Sequence, residues 1–167
     1  MKLGDIYDMQ IAFAGRITNK KYADLSKQKF SVIAELVEFN EELPIDMTHK
    51  YWKKNSFNED KMLTELGDTV LFLFECMATT DSAVSLKNVE SKFDNMLVGS
   101  NQDVHELFLY NLLEDIITYT LNNDFENALI TTISLFEWLG IDKSKLTEVL
   151  LRKIIRNYER LLKEEWV

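Results

Sequence analysis

Apolar residues recur along much of the chain at the three- and four-residue intervals of an amphipathic α-helix, with polar residues between them. The segments that show this period are residues 4–18, 26–43, 59–80, 103–122, 124–138 and 142–165. Residues 81–101 instead mix Ser, Asn, Lys, Asp and Gly with scattered apolar residues, which predicts a long connection with room for a short helix. The pattern therefore predicts about six main helices, packed as a bundle.

The gaps between the segments carry residues that end or begin helices. Pro44 cannot continue the second segment, residues 55–58 (Asn-Ser-Phe-Asn) precede the third, and Gly140 separates the last two. The whole sequence has only five Gly and one Pro, too few for the many turns of a sheet-rich fold. Because 167 residues suit one domain, we predict a single all-α domain over residues 1–167.

Composition narrows the class of protein further. Hydrophobic residues make up 46% of the chain, enough for a packed core, and the net charge of −9 argues against binding to a nucleic acid backbone. The single cysteine, Cys76, lies in an apolar run, which excludes an internal disulfide and favours a core thiol over a reactive one. No stretch is apolar enough to span a membrane, and Met1 to Asp5 lack signal-peptide features. We expect a cytoplasmic protein without nucleic acid or membrane partners.

Acidic residues occur inside two helices whose other residues suggest burial on nearly every side. The apolar residues of the second segment are Phe30, Val32, Ile33, Leu36, Val37, Phe39 and Leu43, and those of the third run from Leu66 to Phe74. An unpaired buried carboxylate is costly, so such a group must be protonated, ion-paired or bound to a metal. These helices are therefore the place to look for a functional site.

Two pairs of acids three residues apart can each share one helix face. The pairs are Glu38 with Glu41 and Glu65 with Asp68. Carboxylates are the protein ligands that Mg²⁺ prefers, so four of them between two helices would suit such ions. Spaced acids also arise on solvated or salt-bridged faces, and Glu35 and Glu42 offer rival pairings with Glu38. The spacing alone leaves both the metal site and its register open.

The order of five motifs resembles the dimeric dUTPases of phages, some bacteria and trypanosomatids, relatives of the MazG-like pyrophosphatases. The motifs are Met9-Gln10, Glu38-x-x-Glu41, Lys50-Tyr51-Trp52-Lys53-Lys54, Glu65-x-x-Asp68 and Lys153-x-x-x-Asn157-x-x-Arg160. The resemblance spans nearly the whole chain and implies a homodimeric, all-α helical bundle of the NTP pyrophosphatase type. It also places the first acidic pair shortly before the Trp and Lys block, which favours Glu38 and Glu41 over Glu35 and Glu38.

The same resemblance implies hydrolysis of dUTP to dUMP and pyrophosphate, in which a metal-activated water attacks the α-phosphorus. Glu38, Glu41, Glu65 and Asp68 would bind Mg²⁺, with more than one ion in each site. Glu38 would also act as the catalytic base. Such an enzyme would remove dUTP from the nucleotide pool.

Further residues are candidates for contacts with the substrate. Lys153, Asn157 and Arg160 share one face of the last helix, and the resemblance implies contacts with phosphates or sugar. A solvated basic helix end would explain the same pattern. Trp52, followed by Lys53, suits a base or sugar beside phosphates, or a partly buried packing role.

Gln10 is the candidate for recognition of the base. Its amide carries both a donor and an acceptor, and the resemblance implies pairing with the uracil edge, although an exposed helical Gln is the simpler explanation. Phe13 stands where some members of the family carry Asn, so recognition of the base departs from the family pattern in detail. A pyrophosphatase for another nucleotide, such as dCTP, and a non-catalytic helical interaction module therefore stay as alternatives.

Overall fold

The computed structural model describes residues 1–17, 23–54, 56–80, 86–97 and 106–163. These residues form seven α-helices and no strand, which confirms the predicted all-α class. The helices are α1 (Leu3–Ala14), α2 (Leu25–Glu41), α3 (Glu59–Thr79), α4 (Leu86–Asp94), α5 (Glu106–Leu121), α6 (Phe125–Trp138) and α7 (Lys143–Leu162). The short helix α4 lies in the stretch for which a connection with room for a helix was predicted.

Four helices begin at a side chain that caps the backbone. The caps are Asp24, Asn58, Asp124 and Asp142, each of which accepts a hydrogen bond from the backbone N–H three residues later. Such a cap typically stabilises a helix by about 1 kcal/mol, because it satisfies an N–H group that has no partner inside the helix. The caps fix the starts of α2, α3, α6 and α7 within one residue of the predicted positions.

Helix α3 forms the centre of the bundle and packs against α1, α2, α6 and α7. Every residue from Leu66 to Leu71 is buried, so α3 is surrounded on nearly every side as predicted. The same expectation is wrong for α2. Only one face of α2 is buried, whereas Phe30 is 72% and Val37 is 44% exposed in the single chain.

Helix α7 lies close to α3 because Gly67 has no side chain. A Cβ atom at Gly67 would lie 3.0 Å from Cγ1 of Val149, closer than nearly all Cβ contacts in proteins. Lys153 follows Val149 by about one helical turn, so the close approach brings the basic face of α7 beside the acids of α3.

A buried amide fastens the loop after α2 to the bundle. Nδ2 of Asn40 donates to the hydroxyl of Tyr110 at 3.1 Å, and Oδ1 accepts from the backbone N–H of His49 at 2.9 Å. The Tyr110 hydroxyl in turn donates to the carbonyl of Met47 at 3.0 Å. His49 therefore belongs to the hydrogen-bond network that holds this loop.

Candidate active site

Three carboxylates meet between α2 and α3. One oxygen each from Glu35, Glu38 and Glu65 lies within 4.8 Å of the others. Glu35 and Glu38 are three residues apart on one face of α2, and Glu65 lies on the facing side of α3. Asp68 stands one turn along α3 from Glu65 and adds a fourth acid to the same region.

Glu41 lies outside this cluster. Its carboxylate forms an ion pair of 2.9 Å with Lys50, and the side chain does not line the cavity beside the other acids. The reason is the orientation of α2, whose buried face is formed by Val32, Leu36 and Phe39. At about 100° per residue, Glu35 borders that face and Glu41 lies opposite to it. The structure thus brings together Glu35 and Glu38, the rival pairing in the sequence, rather than Glu38 and Glu41.

The basic face of α7 closes the site from the other side. Nζ of Lys153 lies 3.0 Å from Oδ2 of Asp68, and both side chains are largely buried. Asn157 is 5% exposed, and Arg160 follows it on the same side of the helix. All three α7 residues that the sequence singled out therefore face the acidic cluster.

A cavity of about 360 Å³ lies between the acids and α7, and we refer to it as the active-site cavity. Its walls comprise Gln10, Phe13, Ile17, Glu35, Glu38, Glu65, Asp68, Leu71, Phe72, Glu75, Lys153, Asn157 and Arg160. Acids and cations occupy one part of this lining, while Phe13, Leu71 and Phe72 supply an apolar part. The cavity therefore offers surfaces for a ligand with both a charged end and a flat apolar end.

Unpartnered polar atoms are concentrated in this cavity. Within the described part of the chain, four buried side-chain oxygens have no hydrogen-bond partner, and three of them belong to lining residues. These three are Oε1 of Gln10, Oε2 of Glu35 and Oδ1 of Asn157. A buried acceptor without a partner costs about 1–3 kcal/mol, so their convergence indicates a ligand that supplies donors or positive charge.

The orientation of Gln10 is set by Glu75, a residue that the sequence analysis did not identify. Nε2 of Gln10 donates to Oε2 of Glu75 at 3.4 Å, and a carboxylate can only accept. The amide oxygen of Gln10 is then left without a hydrogen-bond partner, in a residue that lines the cavity. Glu75 lies on the same side of α3 as Asp68, seven residues later, and this repeated spacing was the available signal for it.

Burial and mutual repulsion shift the pKa values of the acids. Burial, followed by the charges of Asp68, Glu38 and Glu65, raises the pKa of Glu35 from 4.5 to about 9. Burial also raises the pKa of Asp68 from 3.8 to about 6, although the charge of Lys153 opposes this shift. The pKa of Glu65 is raised by burial and by the neighbouring acids. The neighbouring cations thus do not balance the negative charge of these acids.

These residues fit a divalent cation. Carboxylate oxygens are the donors that Mg²⁺ prefers, and Oε2 of Glu35 has no other partner. A cation at this cluster would also relieve the repulsion that raises the pKa of Glu35. Glu35, Glu38 and Glu65 are therefore the residues best placed to hold a metal ion.

Two predicted substrate contacts lie elsewhere. Trp52 is 67% exposed on the loop after α2, where its ring packs edge-to-face against Tyr51. Lys53 donates to the carbonyl of Glu41 at 3.4 Å. Neither side chain lines the active-site cavity, so contact of Trp52 and Lys53 with a substrate stays a prediction.

A helical bundle in which clustered carboxylates face a basic helix across a cavity defines a protein suited to acting on phosphate compounds. A comparison with protein families matches residues 2–164 to the family described as dUTPase. The chain therefore belongs to the all-α dUTPase family that the motif order indicated, and it is a dUTP diphosphatase. A search among curated proteins gave no match. No helix in the described ranges is both long and apolar enough to cross a membrane.

The raised pKa of Glu35 predicts how the metal-free protein responds to pH. The neutral form stabilises the folded state fully below pH 4.5, and this contribution is lost as the pH rises toward about 9. In a chelating buffer, we expect a lower melting temperature at about pH 8.5 than at about pH 6.5. Glu35→Gln should reduce this difference and raise the melting temperature at the higher pH.

Glu159→Gln is the matched control, since it removes one acid from an exposed position on α7 outside the active-site cavity. Thermal unfolding followed by circular dichroism gives the comparison. If Glu35→Gln and Glu159→Gln respond alike to pH, Glu35 does not hold the buried proton that we assign to it.

Proposed function

We propose that the active-site cavity hydrolyses dUTP to dUMP and pyrophosphate with the help of Mg²⁺. The observation that carries this proposal is the convergence of three carboxylates, Lys153 and three unpartnered buried oxygens on one cavity. The carboxylates suit a cation, Lys153 suits a phosphate, and the amide oxygens suit the donors of a nucleoside. Membership of a family of dUTP diphosphatases decides against the non-catalytic helical module.

Glu35, Glu38, Glu65 and Asp68 would hold the metal. Four carboxylates carry enough negative charge for more than one Mg²⁺ ion. When bound, Mg²⁺ would neutralise phosphate oxygens and make water easier to deprotonate. Glu41 is left out of this set because its side chain does not line the active-site cavity.

Glu38 is the residue that we assign as the base. It is the most exposed of the three clustered acids, so water can reach it. Glu38 would accept a proton as the water oxygen bonds to the α-phosphorus. The bond from that phosphorus to the bridging oxygen would break, and pyrophosphate would leave with the bonding electrons. Lys153 and Arg160 would stabilise the negative charge on the phosphates.

Gln10 would select the base. Its oxygen faces the cavity as an acceptor, and N3 of uracil carries the hydrogen that such an acceptor needs. N3 of cytosine is itself an acceptor, so dCTP would leave the oxygen of Gln10 unsatisfied. The arrangement therefore favours dUTP over dCTP.

Substitution of Glu38 tests the mechanism. We expect Glu38→Gln to lower kcat by at least about 100-fold, because the amide cannot accept the proton, while the fold persists. Release of pyrophosphate gives kcat, and the thermal shift with a non-hydrolysable dUTP analogue gives binding.

Paired Glu35→Gln and Glu41→Gln variants test which acid of α2 is the partner of Glu38, since only Glu35→Gln should impair turnover strongly. A severe loss in Glu41→Gln with normal turnover in Glu35→Gln would instead support the Glu38 and Glu41 pairing.

A panel of deoxynucleotides tests the substrate. With Mg²⁺, we expect pyrophosphate release to be fastest from dUTP, and a chelator should abolish it.

Substitution of Gln10 tests selection of the base. Gln10→Leu should lower kcat/KM for dUTP by about tenfold or more, since one well-placed hydrogen bond is lost. Gln28→Leu is a matched control, because Gln28 also has an unpartnered buried oxygen but does not line the cavity. Equal rates on all bases would exclude selection by Gln10.

We also propose that the chain forms a homodimer through α2 and α5. An apolar groove of about 260 Å³ runs between these helices, lined in part by Val37, Leu113 and Ile117. Phe30 at the start of α2 and Leu121 at the end of α5 extend the same side, and both are more than half exposed. Exposed apolar surface of this kind is typical of interfaces between protein chains.

Analytical ultracentrifugation tests the homodimer. The wild-type chain should sediment as a dimer, and Phe30→Glu should shift it toward monomer because a charge would be buried at the interface. Leu162→Glu makes the same change at an exposed leucine on α7 and should leave the dimer intact. A monomeric wild-type chain would refute the proposal.

A further inference from the structure

A second cavity, of about 450 Å³, lies beside the active-site cavity between the start of α3 and α7. The two cavities share Glu65 and Lys153, so they adjoin at the acidic cluster. The remaining lining residues of the second cavity are Asn58, Asp60, Lys61, Thr64, Arg152 and Arg156. A ligand that extends past Lys153 out of the active-site cavity would therefore enter this space.

The second cavity is basic although the chain carries a net charge of −9. Four cations line it against two acids, and we refer to it as the basic cavity. Arg156 forms no ion pair with any residue that the structure describes, and Arg152 reaches only Asp60, at 3.8 Å. Both arginines are exposed, so their guanidinium groups are available to an anion from solvent.

The active-site cavity has the opposite balance. Five acids line it, and the basic side chains in its wall are Lys153 and Arg160. The terminal phosphates of a nucleoside triphosphate carry most of its negative charge, so they need positive charge beyond the Mg²⁺ that the acids would hold and beyond Lys153 and Arg160. Arg152 and Arg156, four residues apart, instead present two neighbouring guanidinium forks, a geometry that matches phosphate oxygens.

We propose that the basic cavity binds the β- and γ-phosphates of the substrate and holds pyrophosphate until it is released. This inference rests on the proposed function, which places the base beside Gln10 and the α-phosphorus beside the carboxylates. When the bond between the α-phosphorus and the bridging oxygen breaks, the departing pyrophosphate keeps that oxygen and its electron pair. Arg152 and Arg156 then stabilise the charge that develops on the leaving group.

Binding of inorganic pyrophosphate in the presence of Mg²⁺ tests the basic cavity without catalysis. Isothermal titration should show that the double variant Arg152→Gln/Arg156→Gln binds pyrophosphate at least about tenfold more weakly than the wild-type chain. Its affinity for dUMP should change by less than about twofold, since dUMP lacks the β- and γ-phosphates. The double variant Lys145→Gln/Lys163→Gln removes one cation in the first turn of α7 and one directly after its last residue, both outside the cavity, and should match the wild type.

Unchanged pyrophosphate affinity in the arginine variant would overturn the inference. An equal loss of affinity for dUMP and pyrophosphate, or an equal effect of the lysine variant, would also overturn it, because general electrostatics would then explain the result. Turnover of dUTP separates this failure from that of the proposed function. A wild-type chain that hydrolyses dUTP but binds pyrophosphate independently of both arginines refutes the basic cavity alone, whereas a chain without turnover refutes the proposed function.

Discussion

Negative charge confined between α2 and α3 is the constraint on which the site depends. Glu35, Glu38 and Glu65 place carboxylate oxygens within 4.8 Å of one another, where burial weakens their hydration. Lys153 forms an ion pair with Asp68 and so neutralises part of the negative charge of the site. Oε2 of Glu35, in contrast, has no hydrogen-bond partner. The cluster must therefore keep a proton or take up a cation. Because like charges in a partly buried site destabilise the fold, the arrangement makes sense as a binding site rather than as a stabilising feature.

The packing of α3 holds this unfavourable cluster in place. Helices on several sides bury α3, and Gly67 lets Val149 bring α7 within close contact. Lys153 and Asn157 then follow at one-turn intervals along α7, each directed at the acids of α3 or the adjoining cavity. One close contact between two helices thus determines where several functional groups lie. The buried apolar side chains of α3 also stabilise the fold against the repulsion among the acids.

The sequence predicted the all-α class and most helix boundaries because these depend on local signals, namely the apolar period and the capping residues. It also predicted the acids of α3 and the basic face of α7, whose spacing is independent of the fold. The orientation of α2 could not be predicted in the same way. Phe30 and Val37 resemble core residues in the sequence, yet the structure leaves them exposed and buries Val32, Leu36 and Phe39. Which apolar face is buried depends on the neighbouring helices, and that choice decides between Glu35 and Glu41 as the partner of Glu38.

In the proposed function, selection of the base would follow from the same cost of unpaired groups that would favour a metal ion at the carboxylates. The bond from the amide nitrogen of Gln10 to Glu75 favours the orientation in which the amide oxygen is the group that meets a base. A base with a hydrogen at the matching position removes the cost of that buried acceptor, whereas a base with an acceptor there leaves the cost in place. Hydrogen-bonded sites reject such analogues more strongly than apolar pockets reject a change in size. The proposed discrimination against cytosine would therefore need no steric clash, only an amide whose orientation is favoured by a carboxylate on α3.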